Sequence, residues 1–219
     1  MREMANKVRR RDASHNGWNR FNAEAAYADS IFRLALGDLE GSISALERAL
    51  EFDPTYAPAI LSMGSVEYQR RRKDQGRTLF LSLLALPENT PDLCEIIDEA
   101  GSFLIQIKEY DDGLELFHAA VEKFPSVAAL YQGLGCCAGH KGLHTQAVQA
   151  AKRALELEHD NQEVVNDLGW SLLEAGQLQE AREMLRKAVS LKPDDELARQ
   201  NLQICEREIL KESKNKRNA

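Results

Sequence analysis

Two consecutive stretches of this chain repeat one another at an offset of 34 residues. Placing Gln162 onward beneath Ala128 onward sets Leu168 under Leu134, Gly169 under Gly135 and Gly176 under Gly142. It also sets Ala181 under Ala147 and Ala188 under Ala154. A fixed period of this size argues against one core folded once. Each period is one supersecondary unit, and it buries its apolar face only by stacking on the next.

The residues say what the unit is. Apolar positions recur at 3–4 spacing in two short runs, Val164–Leu173 and Ala181–Val189, which predicts two amphipathic helices. Gly176 ends the first and Pro193 stops the second. Gly169, Ala181 and Ala188 stand where the paired helices cross, because a larger side chain there would push the axes apart. With these residues the chain resembles the tetratricopeptide repeat family. That family's unit is a 34-residue helix-turn-helix with a Leu-Gly pair, recurrent small residues and a closing proline. Gln162–Asp195 matches it through Leu168, Gly169, Ala181, Ala188 and Pro193. The resemblance implies an all-α fold: a right-handed α-solenoid of about five helix-turn-helix units plus a C-terminal capping helix.

The units are expected at 23–56, 57–93, 94–127, 128–161 and 162–195. Their eighth places hold Ser30, Gly64, Gly101, Gly135 and Gly169, and their twentieth places Ser42, Gly76, Gly113, Ala147 and Ala181. All are small. Departures are local. Asp29 and Arg33 replace apolar residues in the first unit, and Leu83 stands where alanine is usual. The second unit carries three extra residues near Pro87–Pro91, and Asp92 with Glu95 has capping-box spacing for the third.

Residues 1–22 are a basic and partly flexible segment, with Lys7, Arg9, Arg10 and Arg11 clustered. Trp18 and Phe21 are expected to cover the open end of the first unit. Beyond Pro193, Ala198, Leu202, Cys205 and Ile209 form a stripe for a solvating helix over 196–212, followed by a basic tail at 213–219.

The formal net charge is −7, so with both ends basic the repeats are more acidic than the whole chain, and bulk nucleic-acid binding is disfavoured. Contact of the basic termini with nucleic acid remains an alternative. No apolar run reaches membrane-spanning length, and no secretory signal is expected. Cys94, Cys136, Cys137 and Cys205 show no disulfide framework, which points to reduced thiols and a cytoplasmic setting. No catalytic, phosphate-binding or zinc-protease motif is present, so no enzyme and no cofactor is expected. Cys136, His140 and His144 have C-x3-H-x3-H spacing, but each fits a packing or turn role, and no metal is assigned.

The resemblance further implies that certain places on each first helix line a peptide-binding groove. Here that face carries Glu24, Tyr27 and Ile31, then Leu61 and Ser65 with Tyr68 nearby. The third unit adds Glu95, Asp98, Glu99 and Ser102, and the fourth Gln132. The fifth adds Glu163, Asn166, Asp167 and Trp170. Six of these are acids and none is lysine or arginine, which disfavours the family's carboxylate-clamping mode. An acidic face with aromatic anchors predicts a protein or peptide partner of cationic or amphipathic character. Self-assembly through edges or open ends is the alternative.

Overall fold

The computed structural model describes residues 2–218, with side chains described for residues 17–215. Among the described residues there are eleven helices and no strand. They are α1 (Arg2–Ala35), α2 (Leu39–Phe52), α3 (Ala57–Gln69), α4 (Lys73–Leu83), α5 (Leu93–Gln106) and α6 (Tyr110–Lys123). The chain continues through α7 (Ala128–His140), α8 (His144–Leu157), α9 (Gln162–Glu174), α10 (Leu178–Leu191) and α11 (Glu196–Asn218). The sequence pattern explains the starts and stops. The Asp38 carboxylate accepts from Gly41 N–H at 3.0 Å and caps α2. Asn161 caps α9 by accepting from Glu163 N–H at 3.0 Å, and Asp195 accepts from Ala198 N–H at 2.8 Å at the head of α11. Asp92 does not take the extended backbone usual for an N-cap: its φ is +55°.

The turn inside each unit has one recurrent demand. Gly37, Gly142 and Gly176 take φ of +80°, +72° and +74°, and Arg71 and Lys108 take +61° and +65° at the equivalent places. All five close a helix by the left-handed residue that frees the chain to reverse, a conformation that suits glycine. Arg71→Gly and Lys108→Gly are therefore each expected to stabilise the protein by about 0.5–1 kcal/mol, read by urea unfolding. A loss of stability would mean that these side chains contribute more than their backbone strain costs.

The helices group into two units, one up to Ala100 and one from Gly101. In the first, Ile43, Leu46 and Ala49 of α2 pack with Ala23 and Ala26 of α1 and with Ala59 and Met63 of α3. Phe80 of α4 is 1% exposed. It lies flat against Tyr68 with ring centroids 5.5 Å apart, and it fills the space where Gly64 has no side chain. Leu83, the departure from alanine, is fully buried. Asp29 and Arg33 depart from apolar residues because they serve an ion-pair set. Asp29 binds Arg33 at 3.0 Å and Arg48 at 2.6 Å, and Arg33 binds Asp38 at 3.0 Å. Trp18 and Phe21 do not cover this unit's end. They are 64% and 59% exposed and stack on each other at 5.8 Å. Helix α1 also begins at Arg2, ahead of Ala23. The side chains of Lys7, Arg9, Arg10 and Arg11 lie outside the described residues.

In the second unit, consecutive helices pack pairwise from α6 to α11. Phe117 of α6 is completely buried, with Gly101 and Gly133 both facing its ring. Leu185 of α10 does the same work against Gly169 of α9. Helix α11 packs on α10 and α9: Ala198 and Cys205 are fully buried, with Leu202 and Ile209 partly so. It runs on to Asn218, past the apolar stripe.

Candidate functional site

Within each of the two units, the face of interest is built by the first helix of each helix pair. On it, at three steps, the side chain five residues into one repeat reaches the side chain six residues into the next. Gln132 of α7 donates its amide to the Asp167 carboxylate of α9 at 2.9 Å. One step on, Asn201 of α11 donates to Asn166 of α9 at 3.0 Å, both residues being buried. In the first unit the Ser62 hydroxyl of α3 reaches the Tyr27 hydroxyl of α1 at 3.5 Å, a long contact of the same kind. Part of the polar content of this face therefore stitches neighbouring first helices together. Helix α11 takes the register of one more first helix, since Asn201 meets Asn166 as Asp167 meets Gln132.

This separates the expected contact residues. Leu61, Tyr68 and Asn166 are buried, at 9%, 8% and 5% exposure, so they hold the fold and offer a ligand little surface. Tyr68 is committed to Phe80 and to the space above Gly76. Glu24, Ile31, Glu95, Glu99, Ser102 and Glu163 are exposed, and Tyr27, Ser65, Asp98, Gln132, Asp167 and Trp170 are half-buried. Glu24 is partly neutralised by Arg20 at 3.2 Å. Trp170 packs against the cluster that includes Leu168, Leu172 and Cys205, and it still reaches solvent.

The half-buried acids have perturbed chemistry. Burial alone raises the Asp98 carboxyl above its ordinary range. Asp167 is raised first by burial and then by the Glu163 charge, while hydrogen bonds from Gln132 and Asn166 pull the other way. Both acids carry a desolvation cost that an arriving cation would offset. Because the folded-state value of each is raised, the stability that protonation gives them is full at low pH. It is lost as pH rises through the folded value.

The cysteine and histidine set is dispersed. The His140 ring lies flat on Tyr110, centroids 4.3 Å apart, and His144 opens α8. Burial pushes the Cys137 thiol up to about 12, and Cys136 is raised by burial and by the charges of Asp167 and Glu174. Both shifts disfavour the thiolate that a metal requires. Among the described residues no group of three or more His, Cys, Asp or Glu side chains gathers as a metal site. No helix there is long and apolar enough to cross a membrane. One residue of interest escaped the sequence pattern: Glu67, whose burial is visible only once α2, α3 and α4 are packed.

Paired antiparallel helices at a fixed period, with small residues at the crossings save Leu83, define a helical-repeat scaffold. Family models for the tetratricopeptide repeat match residues 30–56, 104–163 and 140–203. The chain belongs to the tetratricopeptide repeat family, whose helical arrays are scaffolds for protein–protein interaction. It is 28% identical over 195 residues to the peroxisomal targeting signal receptor of Kluyveromyces lactis, a match covering 85% of this chain and 34% of that protein. It is 23% identical over 124 residues to small glutamine-rich tetratricopeptide repeat-containing protein 2 of Mycosarcoma maydis, covering 57% of this chain and 35% of that protein. The chain thus spans about a third of the length of these curated relatives. Among solved structures it is similar to YrrB, described as a TPR protein with an unusual peptide-binding site. The TM-score is 0.56 at 21% identity, over 79% of this chain and 88% of that one.

Proposed function

We propose that the protein is a non-enzymatic scaffold that binds a cationic or amphipathic polypeptide segment on the first-helix face, in a cytoplasmic setting. The observation that carries this is the charge of the face. In the first unit Glu24, Glu95, Asp98 and Glu99 stand on it, in the second Glu163 and Asp167, and lysine and arginine occupy none of its places in either. The raised carboxyls of Asp98 and Asp167 support the reading, because a ligand ammonium or guanidinium would favour their charged forms. The peptide-binding site named for YrrB points the same way. Tyr27, Ser65 and Trp170 supply adjoining contact area, and the preformed helices lose little entropy on binding. Cys136, Cys137 and Cys205 form no disulfide, which favours a reducing compartment.

The test is fluorescence anisotropy with a labelled peptide alternating lysine and leucine. The combined Asp98→Asn, Glu99→Gln, Asp167→Asn variant keeps side-chain shape and removes the charge. It is expected to bind at least about tenfold more weakly than the parent, since each pair contributes roughly 0.2–1 kcal/mol when exposed and more when partly buried. Equal affinity would sink the reading. A second reading, self-association, is favoured by the exposure of Trp18, Phe21 and Phe32 on α1, at 64%, 59% and 63%. Light scattering of the free chain separates the two: a peptide receptor stays at 24.6 kDa as concentration rises, and a self-assembling subunit does not.

A further inference from the structure

Within the first unit, away from the first-helix face, a cleft of about 760 Å³ opens between α2 and α4. Its apolar wall is Leu50, Met63 and Leu79. Around it stand four carboxylates, Glu47, Glu51, Glu67 and Asp74, against one cation, Arg72. Acids on helix surfaces are ordinary, and three of these four are exposed. Glu67 is different. Its side chain is 10% exposed, and its Oε2 is buried without a hydrogen bond. The Arg72 guanidinium stands 3.5 Å away, which supplies charge at a distance but leaves that hydrogen bond unmade.

Apart from the long Arg72 ion pair, nothing in the packing asks for a carboxylate here. Glu67 lies in the last turn of α3, where the helix dipole disfavours an anion. Burial of an incompletely satisfied charge disfavours it again. Later units solve the same position with apolar residues: Leu104, Ala138 and Leu172 stand eleven residues into their units, at 1%, 0% and 2% exposure. The second unit has an equivalent cleft of about 400 Å³ lined by α8, α9 and α10, and there Leu172 takes the place of Glu67 and Lys152 that of Glu47. A buried apolar side chain is therefore the structural solution of this register, and the acid departs from it at a cost to the fold.

We infer that the α2–α4 cleft is a binding site for a lysine or arginine side chain presented by a polypeptide partner. The aliphatic stem lies along Leu50, Met63 and Leu79, and the cationic head completes the coordination of Glu67 within the ring formed by Glu47, Glu51 and Asp74. This site is separate from the first-helix face, so it stands or falls independently of the proposal above.

The probe is a fluorescein-labelled peptide alternating arginine and leucine, with a citrulline-for-arginine peptide as its neutral control. Both are titrated into the full chain carrying Asp98→Asn, Glu99→Gln and Asp167→Asn, so that the first-helix face does not contribute. In that background the arginine peptide is expected to bind and the citrulline peptide to bind at least tenfold more weakly. Adding Glu67→Gln or Glu67→Leu should weaken the arginine peptide at least tenfold, with the melting temperature of Glu67→Leu unchanged or raised. Arg72→Ala should tighten binding, because it removes the competing internal cation. Absence of binding to that parent, or unchanged affinity in Glu67→Gln, overturns the assignment. So does a rise in mass with concentration that Glu67→Gln abolishes, because it would give the cleft to a second copy of this chain.

Discussion

Phe117→Ala is expected to lower the unfolding free energy by about 3–5 kcal/mol. The ring is completely buried. It fills a space bounded by Gly101 on α5 and Gly133 on α7, neither of which has a side chain that could move in. The cost of a large-to-small change depends on how far the surroundings collapse, and backbone walls collapse poorly. The cavity should therefore persist and place the effect in the upper part of the range. Urea unfolding followed by circular dichroism reads it. A change below about 1 kcal/mol would show that the ring is not the wedge between these helices.

The second large effect comes as a contrasting pair. Gly135 and Gly169 occupy the same place in adjacent units, yet alanine should have opposite consequences at the two. At Gly169 an added Cβ would lie 2.7 Å from Leu185 Cδ2 and 3.1 Å from the Leu185 backbone nitrogen. The side chain can shift, but the backbone nitrogen moves only if α9 and α10 separate. Overpacking of that kind costs about 1–3 kcal/mol, against about 1 kcal/mol gained in helix propensity. At Gly135 the nearest atom to an added Cβ is the Ala147 carbonyl oxygen at 3.5 Å, an ordinary contact. Gly135→Ala should leave the packing unchanged and stabilise by about 0.5–1 kcal/mol. The difference arises because Ala151 stands in the fourth unit where Leu185 stands in the fifth. If both substitutions destabilise equally, the crossing distance is set by something other than that facing residue.

The candidate face was legible in part. Its acidity could be read from Asp98, Glu99 and Asp167 in the sequence. Its availability could not. Asn166 and Tyr68 have the residue types of ligand contacts, but one is bonded to Asn201 and the other lies against Phe80. Spacing within one unit says which side of a helix a residue occupies. It does not say whether the next helix already reaches it. Trp18 and Phe21 show the reverse: apolar character and a place just before the first unit predict a cover for its open end, and both are exposed.

The sequence by itself determined the repeat period, the two-helix unit, the reversal residues at Gly142 and Gly176, and the need for small side chains at the crossings. Each of these follows from backbone conformation or helix periodicity, which are local properties repeated in phase. Only the tertiary structure decided which crossings are tight, which polar groups join neighbouring helices, and that Glu67 is buried where Leu172 sits in the later unit. Those depend on distances between side chains of different helices, and such distances are set by the sizes of facing residues that no single unit's pattern contains.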